Sequence, residues 1–298
     1  METLQATQIA IKNILFATDF EAPASRALPF AVAMATRYGA RLYVSHVIPQ
    51  EAYACASPQA VDRVLKEAGE FAAYTLSQIV GPLKQRGLRC DAALGEGNIT
   101  EVLKDFVSKY SADVVVVGRS CARWSKAVLG SVAEEIIREL PCPVLTVGPL
   151  VTTLASSGVQ CIICATDFSP AATHAMEFAI SLAEEYRAHL TLLHVLEGRL
   201  PTTPQFAVES AERRLRQALP IEVDLRFKPE IVVETGSVAD CIVSLTGELS
   251  ADIIVMGACG AGSLAQWASH FGSMAHKVIS LASCPVLTVG DVQRSECR

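Results

Sequence analysis

The chain has 298 residues, about twice the usual domain, and its 51% hydrophobic and 19% charged content supplies two buried cores and excludes disorder. A formal net charge of −6, with 6% aromatic residues and no long basic run, argues against a nucleic-acid surface, which needs clustered Lys and Arg. No apolar stretch reaches the roughly 20 residues of a membrane helix, and Met1–Ala10 lacks an apolar signal core, so a soluble, cytoplasmic protein without membrane contact is expected.

In chain order, Asn13–Thr18 is a short apolar run ending at Asp19, and a helical pattern over Ala24–Tyr38 follows it. A strand pattern at Arg41–Val47 leads to helical patterns at Gln59–Gln85 and Ile99–Lys109, then to strand patterns at Val114–Val117 and Val144–Val147. After Pro149–Gly158, which reads as a linker, the order repeats. Cys161–Thr166, Leu190–Val195, Ile253–Met256 and Val286–Val289 are the strands; Ala171–Tyr186, Phe206–Ala218 and Val238–Leu249 are the helices. Runs such as Asp113-Val-Val-Val-Val-Gly118 and Asp252-Ile-Ile-Val-Met-Gly257 are apolar on both faces, as parallel strands covered by helices must be. Alternating strands and helices imply a parallel sheet built from right-handed crossovers.

The repetition is a duplication. At an offset of 148, Ile14, Ala17, Thr18, Asp19 and Phe20 fall on Ile162, Ala165, Thr166, Asp167 and Phe168, and His46-Val47 falls on His194-Val195. The offset drops to 139 at Gly97/Gly236 and Gly118/Gly257, because the second helix is shorter in the second half, and becomes 142 for the two copies of Cys-Pro-Val-Leu-Thr-Val-Gly ending at Gly148 and Gly290. Two domains follow, 1–150 and 151–298.

Ligands of open parallel sheets bind at strand carboxyl ends, where strand order reverses. Two loops in each half qualify: the turn at Thr18-Asp19-Phe20 (Thr166-Asp167-Phe168) and the loop opening at Gly118 (Gly257). The latter loop in the second half reads Gly257-Ala-Cys-Gly260, with Gly272-Ser273 beyond it opening a helix; glycine backbone and a helix N-terminus both suit phosphate. These residues resemble the pattern of the universal stress protein family: Gly, two residues, Gly, nine residues, then Gly-Ser or Gly-Thr. The resemblance covers Lys12–Gly148 and Val159–Gly290, so the chain looks like a tandem member. It implies an α/β fold of two tandem, doubly wound, parallel five-stranded sheets, Rossmann-like and similar to adenine-nucleotide α-hydrolases, packed as a pseudo-dimer. It also implies ATP or a related adenine nucleotide as ligand, Mg²⁺ with it, with Asp19, Asp167, Val47 and Val195 at the adenine and the Gly-rich loop at ribose and triphosphate. The closing Pro-Val-Leu strands resemble the family's dimerising edge, which suggests a homodimer.

Both loops depart from the pattern. In the first half Cys121 stands where the second Gly belongs, and Gly130-Ser131 arrives one residue early; in the second, eleven residues rather than nine separate Gly260 from Gly272. Arg119, Arg123 and Lys126 lie in the first loop, whereas no Lys or Arg lies between Gly257 and Ser273. Since backbone amides hold phosphate unaided, the second half is the favoured site.

Other readings compete at several positions. Asp19 and Asp167 suit a helix cap or a turn bond as well as a ligand. His46 and His194, amid Val and Leu, read as core residues rather than catalysts. Trp124 and Trp267 suit either a stacked base or a plugged pocket. The ten cysteines sit mostly among aliphatic residues; Cys161 and Cys164 have redox spacing but fall within a strand, on opposite faces. His270 and His276, six apart, do not share a helical face, and no metal site is expected.

The chain has no Gly-x4-Gly-Lys-Ser/Thr loop, no Gly-x-Gly-x-x-Gly after a first strand, no Gly-x-Ser-x-Gly elbow and no Ser-Gly-Gly-x-Asp-Ser loop. The expectation is therefore a stress-linked regulatory protein and not an enzyme, with any ATP hydrolysis slow and incidental. It would bind an adenine nucleotide and a protein partner of unknown identity. The alternative is a nucleotide-free interaction module on the same scaffold.

Overall fold

A computed structural model describes residues 9–49, 58–119, 131–152, 158–198, 204–219, 226–258 and 274–290. They form two compact units, Ala10–Val147 and the residues from Gly148 onward together with Ile9. In the first unit β1 (Asn13–Ala17), α1 (Ala22–Tyr38), β2 (Arg41–Ile48), α2 (Pro58–Gln85), β3 (Cys90–Glu96), α3 (Ile99–Tyr110), β4 (Val114–Gly118), α4 (Ser131–Glu139) and β5 (Val144–Val147) follow one another. Their sheet runs β3-β2-β1-β4-β5 with parallel pairs throughout. The second unit repeats this as β6 (Cys161–Ala165), α5 (Pro170–Tyr186), β7 (His189–Leu196), α6 (Pro204–Ala218), β8 (Glu230–Thr235), α7 (Val238–Leu249), β9 (Ile253–Gly257) and β10 (Val286–Val289). Its strand order is β8-β7-β6-β9-β10, again parallel. Among the described residues no helix is long and apolar enough to cross a membrane.

The periodicity located most of these elements to within a residue or two. It missed β3 and β8, the outer strands beside β2 and β7. A strand with one neighbour and a half-covered face need not be apolar, and Glu230–Thr235 has no fully buried residue. The central strands are the opposite case: every residue from Val114 to Val117 and from Ile253 to Met256 is buried, between helices on both faces.

Each domain pins its first strand with a carboxylate from the entry to its fourth. Asp113 Oδ2 accepts the Lys12 and Asn13 N–H groups at 2.6 and 2.8 Å, and Asp252 Oδ2 accepts those of Gln160 and Cys161 at 2.7 and 3.0 Å. Helix ends are specified locally too. Asn98 caps α3 through the Thr100 and Glu101 N–H groups, and Ser169 caps α5 through that of Ala172, with Pro170 next in line. At the C-termini the halves differ: α1 ends on Gly39 at φ 60°, whereas the equivalent of Gly39 after α5 is Arg187, held at φ 54°. A side chain in this left-handed region is strained. Arg187→Gly should therefore raise stability by about 0.5–1 kcal/mol, seen as a higher urea midpoint with an unchanged slope; an unchanged or lower midpoint would contradict it.

Candidate functional site at the strand switch point

In each sheet, order reverses between the first and fourth strands: the chain leaves β1 for β2 and β3, and leaves β4 for β5 on the other side. Ala17 lies beside Val117, and Ala165 beside Met256. The turn after Ala17 and the loop from Gly118 thus start side by side, as do those after Ala165 and from Gly257. This is the position at which open α/β sheets take ligands.

The turn after the first strand is built alike in both domains. Thr18 Oγ1 accepts the Phe20 N–H at 2.9 Å, Asp19 Oδ1 accepts that of Glu21 at 2.9 Å, and Phe20 takes φ 65°. In the second domain Thr166 Oγ1 accepts the Phe168 N–H at 3.1 Å, Asp167 Oδ1 accepts that of Ser169 at 3.0 Å, and Phe168 takes φ 63°. The Asp therefore fastens the turn and does not cap the helix. Both carboxylates are exposed.

His46 and His194 hold the same turn from the neighbouring strand, their Nδ1 atoms 2.7 Å from the Thr18 and Thr166 carbonyls. As the tautomer that donates from Nδ1, each clamps the turn. Each is satisfied by this bond, as a structural residue would be, and sits half-buried at the sheet's end. Phe20 stacks on His46 with centroids 4.1 Å apart, and Phe168 packs on His194 at 4.6 Å. The phenylalanines went unassigned in the sequence, although an Asp-Phe pair repeated in both halves was the available signal.

Hydrogen-bond parity then fixes what Val47 and Val195 present. The Arg41 N–H bonds Lys12 and the Ser45 carbonyl accepts from Thr18, so odd-numbered residues of β2 face β1; Ile48 O accepts from Gly97, so even-numbered ones face β3. Val47 is the next odd residue, and β1 has already turned away beside it. Its N–H and C=O therefore point over the end of β1, next to the Asp19 turn. In the second domain His189 and Leu193 face β6 and Leu196 faces β8, which aims the Val195 main chain over the Asp167 turn in the same manner.

Gly118 and Gly257 have a packing reason to be glycine. A Cβ on Gly118 would lie 2.2 Å from Pro23 O in the first turn of α1, and one on Gly257 would lie 2.8 Å from Ala172 N in α5. Beyond them, Gly130, Gly260, Gly272, Ser273, Cys121, Arg123, Trp124, Lys126, Trp267 and His270 lie outside the described residues, and of Ser131 only its place at the start of α4 is described. Arg119 is described: its N–H bonds Val147 O, and its charge acts on Glu134, whose carboxyl is pushed up by burial and drawn back by Arg119.

Three of the described cysteines are not activated thiols. Burial pushes the Cys164 and Cys284 thiols up to about 12, and raises Cys161, so their thiolates are disfavoured. Among the described residues no three His, Cys, Asp or Glu side chains gather as metal ligands would.

Comparison with known proteins adds to this geometry. The sequence profile of the Universal stress protein family matches residues 10–148 and again 159–290. A universal stress protein of Thermus aquaticus is 32% identical over 140 residues, 46% of this chain and 98% of that one. Another, from Methanocaldococcus jannaschii, is 28% identical over 141 residues, 46% of this chain and 81% of that one. Among solved structures, a universal stress protein from Archaeoglobus fulgidus superposes with a TM-score of 0.70 at 19% identity, covering 94% of this chain and 98% of its own, which shows a shared fold. Matched in full by the same family twice over, with the same strand order in both halves, this chain belongs to the universal stress protein family as a tandem, two-domain member.

Proposed function

We propose that the protein is a regulatory binding protein whose second domain holds an adenine nucleotide, ATP or a relative, at the switch point between β6 and β9. The observation that carries this reading is the Val195 main chain, a donor and an acceptor aimed over the end of β6 beside the exposed Asp167 carboxylate. An adenine edge offers the matching pair, an amino donor next to a ring-nitrogen acceptor. Asp167 would take a further polar contact from the base or the ribose.

The first domain has the same backbone edge at Val47 but a less favourable charge. Its turn carries two exposed carboxylates, Asp19 and Glu21, where the second domain has Asp167 and the neutral cap Ser169. Arg119, the described cation of its loop, is partly offset by Glu134. Beside its turn, with one carboxylate fewer, the second domain tolerates a polyphosphate better. Mg²⁺ would enter with the phosphates, and no described carboxylate cluster is needed to hold it. The reading is of binding without designed turnover, and among the described residues no general base is assembled beside the turn.

Heat-denaturing the purified chain and chromatographing the supernatant should release adenine nucleotide, and calorimetry on stripped protein should then show ATP binding. Asp167→Ala should weaken that binding roughly tenfold, with Asp19→Ala changing it less. Absence of both released nucleotide and binding at millimolar ATP would favour the alternative, an interaction module without nucleotide.

A further inference from the structure

The halves share the Phe-on-His stack but differ in what covers it. On α2 the buried Ala72 and Leu76 match Ala211 and Leu215 of α6 at an offset of 139, which sets Thr75 against Arg214. In the first domain Thr75 Oγ1 donates back to Phe71 O at 2.8 Å, and the exposed ring of Phe71 meets Phe20 edge-on, centroids 6.5 Å apart. In the second domain the Arg214 guanidinium lies over the Phe168 ring, 3.9 Å from its centroid. Arg214, Phe168 and His194 thus form one column standing on the turn that carries Asp167.

Stacking uses the face of a guanidinium and leaves its in-plane N–H groups to other partners. Arg214 is exposed, and among the described residues no carbonyl or carboxylate takes those groups; the nearby pair on the same helix is Glu212 with Arg216, 2.8 Å apart. The ring holds the side chain in place, so little further ordering is lost when an anion is met. The loop from Gly257 to Ser273 has no Lys or Arg of its own.

We infer that Arg214 is the ligand-facing cation of the second domain's site, supplied from α6 in place of a cation in the loop, and that it makes this site prefer an anionic nucleotide over its neutral nucleoside. This rests on the nucleotide reading above. The first domain, with Thr75 and Phe71 there, has no cation at this position.

Calorimetric titration of the full chain with ATP and with adenosine tests it, on the wild type, Arg214→Gln and Arg214→Lys, with melting temperatures recorded for all three. The expected result is that Arg214→Gln weakens ATP roughly tenfold, keeps adenosine within about twofold, flattens the salt dependence of ATP binding, and melts near the wild type. Arg214→Lys should recover part of the ATP affinity. Equal ATP affinity in wild type and Arg214→Gln would overturn the inference and leave the nucleotide reading standing. So would a parallel loss of ATP and adenosine binding, which would make Arg214 a support for Phe168 alone. A wild type that binds neither compound would overturn both.

Discussion

Gly118→Ala is expected to destabilise the first domain by about 3 kcal/mol. The new methyl carbon would stand 2.2 Å from Pro23 O, 2.3 Å from Pro23 C and 2.6 Å from Ala24 N. All three are backbone atoms, so no rotamer change relieves the clash; the start of α1 must move off the sheet. That start is continuous with the Thr18–Phe20 turn, so the damage reaches the candidate site. The equivalent Gly257→Ala should cost less, about 1–2 kcal/mol, since its nearest neighbours are Ala172 N at 2.8 Å and Ala171 C at 3.0 Å. Urea unfolding of the two variants measures the order. Equal midpoints for Gly118→Ala and the wild type would show that the helix yields freely, and would return this glycine to a purely ligand-related role.

Asp252→Ala should cost about 2–3 kcal/mol. It removes the one carboxylate oxygen that serves two main-chain N–H groups at the start of β6, at 2.7 and 3.0 Å, and leaves the Cys161 donor half-buried without it, the Gln160 donor lying at the surface. Asp113→Ala should do the same to β1, where the bonds are 2.6 and 2.8 Å. Asp252→Asn, which keeps an acceptor but not the charge, should fall between. A second readout is independent of melting: the Cys161 thiol is raised first by burial and then by the Asp252 charge, so Asp252→Ala should speed its alkylation in native protein. A variant with wild-type stability would mean that water replaces the carboxylate at no cost.

Much of this was legible in one dimension. The duplication, the alternation of strand and helix, and the central strands Val114–Val117 and Ile253–Met256 follow from hydrophobic pattern alone, because strands covered on both faces leave an unbroken apolar run. The outer strands β3 and β8 left no such trace, since an edge position does not demand it. At the site, the Asp-Phe turn and the opening glycines were found by repetition, yet their roles were not. Spacing cannot say that the room for a Cβ on Gly118 is already taken by Pro23, because the two are brought together only when β4 lies beside β1.

The sequence by itself determined the family and the tandem architecture, and it picked out the loops proposed for a ligand, because local periodicity and repeated residues are properties of the chain read in order. Tertiary structure alone decided the rest. It set the main chain of Val195 over the end of β6, made clamps of the two histidines, and laid Arg214 from α6 on Phe168, 46 residues earlier. Those facts depend on which strand turns away first and which helix packs above it, and no pattern along one segment encodes the neighbour that another supplies.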